Sequence, residues 1–259
     1  MNLKNNSMRI ITAFAFLFTV LNTSAQGPVK HLGNVKTFKT GEQAVTFTTE
    51  NGYASIIVYA PSIIRVRADK QKLKDDFSYA VVTKPVRTNV NISSDEKQVV
   101  IKTDSLKAIV QKNPFSISFY NAENKLINAD ETGLTTSWVN EEVTTYKTMQ
   151  EAEKFIGLGE KTGDLNRRNK GYTNWNTDAY GYDPYADPLY TSIPFYMGIH
   201  NGLNYGIFLD NTFQTDFNFG ASNNRFSSFG ARGGEMNYYF IYHTKMADII
   251  GSYTSLTGR

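Results

Sequence analysis

The sequence contains no cysteine. Disulfides, thiol nucleophiles and thiolate zinc sites are therefore excluded, and so is a lipid-modified N-terminal cysteine. Folding must rest on buried apolar surface, for which 259 residues are ample. Histidine is scarce: His31, His200 and His243 lie far apart and in no spaced ligand motif. That scarcity gives no support to a metal centre or a Ser-His-Asp arrangement, and no cofactor is expected. No basic run or stripe accompanies the formal charge of +3, so the electrostatic footprint of a nucleic-acid partner is missing. No apolar run reaches the roughly 20 residues that a membrane span requires.

The longest apolar stretch, residues 10–21, follows Lys4 and Arg9 and precedes Thr23-Ser24-Ala25. A basic start, a short apolar run and small residues at the exit predict a cleaved signal peptide over residues 1–25. A start at Met8 gives an even more compact signal. The expected location is periplasmic or secreted, with neither a lipid anchor nor a membrane span after cleavage.

What the chain has in quantity is tyrosine and phenylalanine, 16 and 17 copies. Most of these suit the core of a β protein. The patterning agrees. Residues 43–49 and 53–60 flank Asn51-Gly52, a strong hairpin signal, and residues 193–199 and 204–210 flank Asn201-Gly202. Residues 98–103 and 106–111 enclose Asp104-Ser105. Residues 62–68 set Ile64, Val66 and Ala68 opposite Arg65 and Arg67, which predicts one buried and one wet face. Residues 115–120, 214–219, 225–229 and 236–242 extend the series of short strands. Strands at this spacing without intervening helices predict an all-β sandwich over residues 26–243. Residues 244–259 differ: Met246, Ile249, Ile250, Tyr253 and Leu256 share a helical face, with Thr244 as N-cap and Gly258 past the stop.

Residues 160–189 form a long stretch rich in Gly, Asn, Asp and Tyr, with little periodicity. Its aromatics argue against disorder, so it reads as an ordered surface loop. Asp178, Asp183 and Asp187 lie in it, with Glu160 and Asp164 before them. Carboxylates exchange hydrogen bonds with sugar hydroxyls, and Trp175 and the tyrosines offer flat apolar faces, although Trp175, Tyr180 and Tyr182 are expected mainly to pack the loop. On residues alone, solvated turn formation is the favoured role of each Asp. Gly157 and Gly159 lack the following helix and Lys-Ser/Thr of a phosphate loop and read as a strand end.

Five ordered motifs carry a resemblance. Ile156-Gly157-Leu158-Gly159-Glu160-Lys161, Trp175-Asn176-Thr177-Asp178, Asp187-Pro188-Leu189-Tyr190 with Ser192-Ile193-Pro194-Phe195, Tyr205-Gly206-Ile207-Phe208-Leu209-Asp210-Asn211, and Asn237-Tyr238-Tyr239-Phe240 with the closing helix are similar to markers of family 31 glycoside hydrolases. The resemblance implies a galactose-mutarotase-like β-sandwich ahead of a (β/α)8 barrel that retains configuration while cleaving α-linked oligosaccharides or glycosides. It places both catalytic Asp residues on that barrel, which residues up to Arg259 are not expected to reach, so no catalytic residue is assigned here. It also makes Asp178, in the Asn-x-Asp element, the expected substrate contact. Two other readings stand beside it: a free-standing carbohydrate-binding module, and an aldose mutarotase, which needs acid and base groups such as His and Glu.

Overall fold

The computed structural model describes residues 27–75 and 77–258. The expected signal peptide lies outside the described residues. Three antiparallel sheets and one helix make up the fold. The largest sheet has eight strands, in spatial order Lys154–Gly159, Ser192–His200, Leu203–Leu209, Met236–Tyr242, Ile63–Asp69, Tyr53–Ala60, Ala44–Thr49 and Val35–Thr40. A five-stranded sheet runs Leu126–Ala129, Phe115–Asn121, Leu106–Lys112, Gln98–Lys102 and Asn91–Ser94. A six-stranded sheet runs Lys30–His31, Thr136–Val139, Glu142–Thr148, Phe226–Ala231, Thr215–Asn218 and Gly171–Asn174. The all-β sandwich expected from the pattern is what forms.

Turn chemistry sets the register locally. Asn201 and Gly202 both take positive φ, 48° and 73°, and pair His200 with Leu203 across a two-residue turn. These are the left-handed torsions that match the twist of flanking strands. Asn51-Gly52 also closes a hairpin, Thr48 opposite Tyr53, but through a wider turn in which the Thr49 amide donates to the Gly52 carbonyl. Gly52 is needed there for a different reason: a Cβ would stand 2.5 Å from the Asp69 carbonyl oxygen.

The main core lies between the eight-stranded sheet and the two smaller ones. Phe47, Ile56, Val66 and Phe240 meet Ile101, Phe119, Trp138 and Phe229 there. Phe240 stacks on Phe119 at 3.9 Å between ring centroids. The other face of the eight-stranded sheet is covered too, over its middle strands. Tyr59, Ile63, Phe195, Phe208, Tyr239 and Ile241 pack beneath Ile249 and Leu256 of the helix Met246–Thr257, with Ala80 and Val81 beside them.

This second cover corrects the expected wet face of residues 62–68. Arg65 and Arg67 are both buried. Arg65 donates from Nε to Asn237 Oδ1 and lies over the Tyr239 ring, while Arg67 pairs with Glu235 at 2.7 Å. Alternation holds, but both sides of the strand are dry. The helix needs two corrections as well. Its N-cap is Lys245, without a side-chain cap, instead of Thr244. Ile249 and Leu256 are buried and Tyr253 stacks on Phe195, yet Met246 and Ile250 face outward.

One ion pair sits deep in the core. Lys147 on Glu142–Thr148 donates to Asp130 Oδ1 at 2.6 Å and to the Tyr238 hydroxyl at 3.0 Å. Asp130 Oδ2 accepts the Ile117 amide. Residues from all three sheets thus converge on it.

Candidate functional site

The loop that carries Asp178 starts from a distorted strand end. Gly157, Leu158 and Gly159 have φ of 134°, 74° and 76°, and the pairing with Ser192–His200 slips between the two glycines. A Cβ on Gly157 would meet the Phe195 carbonyl oxygen at 2.5 Å, and one on Gly159 the Thr191 carbonyl oxygen at the same distance. These glycines let the chain lie on neighbouring backbone while turning outward. The strand-end reading of them holds.

A clamp then ties the base. Lys161 Nζ, wholly enclosed, donates at 2.6 Å both to the Thr173 carbonyl and to Asp187 Oδ1. Asp187 Oδ2 accepts the Thr173 amide at 2.6 Å. Burial pulls the Lys161 ammonium below its usual pKa, and the Asp187 hydrogen bond opposes that pull. Arg167, also buried, reaches the Thr162 and Asp164 carbonyls. Within the stretch expected to be loop, Gly171–Asn174 is a strand of the six-stranded sheet, too short for its alternation to show in sequence. Beyond it, Thr177 donates to Leu189, and Asn176 Oδ1 accepts the Ser192 amide. The two arms are stitched together below the tip.

The tip presents what the stitching holds. Asp178 is exposed, and its carboxylate faces the Tyr190 phenol. Desolvation first, then the Asp178 charge and hydrogen bond, push that phenol above its ordinary pKa. Among the described residues no lysine or arginine pairs with Asp178. Tyr180 and Tyr185 are 94% and 91% exposed, so Tyr180 does not pack the loop as expected, and Trp175 is 51% exposed. Three of the other acids are occupied: Asp183 accepts the Tyr185 amide in a turn, Asp187 belongs to the clamp, and Asp164 pairs with Lys170, while the Glu160 charge also acts on Tyr190. Tyr190 and Lys161 were missed as partners, because nothing in their spacing announces the pairing.

An aromatic surface adjoins the loop. Phe213, 53% exposed, borders a cleft with Trp175, Asn176 and Pro194, and a second cleft with Phe77 and Tyr79. The histidines are elsewhere. His31 meets the Leu134 carbonyl, buried His200 meets the Ile127 carbonyl, and His243 meets Ser62 and Ser252. Among the described residues no group of three or more His, Cys, Asp or Glu is arranged to hold a metal, and no helix is long and apolar enough to cross a membrane.

Fold and loop together define a galactose mutarotase-like β-sandwich domain. The chain belongs to the glycosyl hydrolase family 31 N-terminal galactose mutarotase-like domain family, which matches residues 53–218. Its relatives include an alpha-glucosidase 2 from Bacillus thermoamyloliquefaciens, 34% identical over 231 residues. That match covers 88% of this chain and 29% of the relative. A family 31 dextranase from Flavobacterium johnsoniae, solved with isomaltotriose, superposes with a TM-score of 0.83 at 33% identity, over 89% of this chain and 29% of that one. The cycloalternan-forming enzyme of Listeria monocytogenes shares the fold, with a TM-score of 0.79 at 16% identity, over 90% of this chain and 23% of that one. The chain thus spans under a third of the length of these relatives.

Proposed function

We propose that this chain is the non-catalytic N-terminal domain of an exported α-glucosidase-type hydrolase. It packs on a catalytic barrel and lends Asp178 to the binding of an α-linked glycoside. The observation that carries the reading is the clamped loop, which holds an exposed carboxylate, bonded to the Tyr190 phenol and without a cationic partner among the described residues, amid exposed aromatic rings. Such a group can accept two charge-assisted hydrogen bonds from sugar hydroxyls, which orients a substrate more than it adds affinity. The exposed Phe77, Tyr79 and Phe213 beside the loop supply the apolar surface against which a barrel would pack. Relatives more than three times this length, named as α-glucosidase and dextranase, are consistent with a following catalytic domain.

The test is Asp178→Ala in a chain that carries this domain ahead of a family 31 barrel. Hydrogen bonds to a charged group contribute about 1.5–3 kcal/mol, so kcat/KM on an α-glucoside should fall about ten- to a hundredfold. A change smaller than about twofold would remove Asp178 from the substrate site. Residues 26–259 alone should not turn over p-nitrophenyl α-glucoside, and measurable turnover by them would overturn the non-catalytic assignment. Export has its own check: N-terminal sequencing of the secreted or periplasmic chain should start at Gln26, and an intact Met1 or Met8 would refute cleavage.

A further inference from the structure

The outward face of the six-stranded sheet carries a groove of about 420 Å³ whose lining includes Thr173 and Asp187 of the clamp but not Asp178. Its shape follows from register. Thr144, Gly230, Asp216 and Thr173 stand opposite one another across four strands, and Tyr146, Ser228, Asn218 and Gly171 form the next row. Their neighbours Val143, Thr145, Phe217, Tyr172 and Phe229 point into the core, so both rows face out. The middle of the groove is low because Ser228 and Gly230 are small. A side chain at Gly230 is ruled out, since a Cβ would lie 2.6 Å from the Val143 carbonyl oxygen. Thr144 and Tyr146 form one wall, and Asp216, Asn218 and Thr173 the other.

The chemistry of the lining selects a ligand class. Arg232 closes one end, bonded to Glu142 at 2.6 Å and to Asp216 at 3.0 Å. Thr173 Oγ1 donates to Asp216, and Asn218 Oδ1 accepts the Gly220 and Ala221 amides. The polar groups are thus fixed in place before any ligand arrives, which lowers the entropy lost on binding. The guanidinium is already neutralised by two carboxylates, so it does not favour a phosphate or other polyanion. Each acid at the groove is held by a cation, so a divalent metal would have to displace it. What remains suited is a neutral, hydroxyl-rich molecule. Carboxylates and amide oxygens accept from its hydroxyls, and Arg, Thr and Ser donate to them. Tyr146, set edge-on against Phe226 at 5.3 Å, supplies an aromatic wall for the C–H face of a sugar ring. The volume lies within the about 300–1,000 Å³ of ligand sites.

We infer that this groove binds a neutral oligosaccharide, at a place separate from the Asp178 tip. The choice of an α-linked glucose chain rests on the functional reading above, whereas the groove and its chemistry do not. Isomaltotriose is titrated by calorimetry into the protein and into Tyr146→Ala, Ser228→Leu and Asp178→Ala variants, with circular dichroism confirming the fold of each. The expected result is saturable binding that weakens about tenfold or more in Tyr146→Ala and in Ser228→Leu, which fills the floor, and that Asp178→Ala leaves unchanged. Absence of saturable binding overturns the groove, and so does binding that Ser228→Leu leaves intact. If Asp178→Ala lowers kcat/KM while the groove binds nothing, the groove fails and the loop reading stands. If groove binding behaves as expected while Asp178→Ala leaves kcat/KM unchanged, the loop reading fails alone.

Discussion

Lys147→Ala is expected to destabilise the domain by about 3–5 kcal/mol, a large part of the 5–15 kcal/mol that holds a typical domain folded. The side chains of Lys147 and Asp130 are 0% and 2% exposed. Both have been taken from water, and each is the other's principal compensation. The ammonium also lies over the rings of Phe119 and Tyr238, at 5.4 and 4.9 Å, which helps to hold the charge in an apolar setting. Burial nevertheless pulls the Lys147 pKa below its ordinary value, with Asp130 working against that pull. Removing the lysine strands a carboxylate that retains the Ile117 amide as its remaining described partner. Removing both charges is a different matter. In Lys147→Met with Asp130→Asn, the methionine fills most of the vacated volume and the Asn oxygen can still accept the Ile117 amide. The double variant should recover most of the loss, because a buried pair contributes little net stability although breaking it costs much. Urea unfolding of parent, single and double variants measures the cycle. A Lys147→Ala loss below about 1 kcal/mol, or a double variant as unstable as the single, would show that the pair is not the keystone described.

That pair also shows why part of the fold escaped the sequence. The strand Glu142–Thr148 turns Val143, Thr145 and Lys147 inward. A threonine and a lysine at core positions hide the apolar stripe, so the strand leaves no period-two signature. The hairpins around Asn201-Gly202 and Asp104-Ser105 were legible because turn and strand signals lie within a few residues of each other. Arg65 and Arg67 misled for the opposite reason. Their alternation with Ile64 and Val66 is real, but the helix that helps cover their face comes some 180 residues later. At the candidate site, the ordered loop was legible from its composition and its glycine-marked start. Asp178 was singled out only through family resemblance. The clamp was not visible at all, since Lys161 and Asp187 are 26 residues apart and meet only when the strand Gly171–Asn174 brings Thr173 between them.

Asp187→Ala should loosen the loop that carries Asp178 and cost stability toward the lower end of the about 3–5 kcal/mol expected when a buried pair is broken. Asp187 retains some exposure, its side chain being 20% accessible, but the Lys161 side chain has none. Without the carboxylate, the ammonium keeps the Thr173 carbonyl as its described acceptor, and the Thr173 amide loses its acceptor. The lysine can shed its proton to limit the damage, which ties the loss to pH. Burial already places the folded-state pKa of Lys161 below its ordinary value, and losing Asp187 lowers it further. Between that folded value and the unfolded lysine value near about 10.4, the unfolded chain binds more protons, so stability rises with pH. The deficit of Asp187→Ala against the parent should therefore narrow as pH is raised toward that value. Asp187→Asn, which can still accept the Thr173 amide, should fall between the two. Limited proteolysis reads the local effect: cleavage among residues 176–186 should accelerate in Asp187→Ala while the strands remain protected. The functional corollary is coupling. In an enzyme carrying the barrel, adding Asp178→Ala to Asp187→Ala should lower kcat/KM less than Asp178→Ala alone does, because a loosened tip no longer delivers that carboxylate. Additive losses, or an unchanged cleavage pattern, would mean that the tip keeps its place without the clamp.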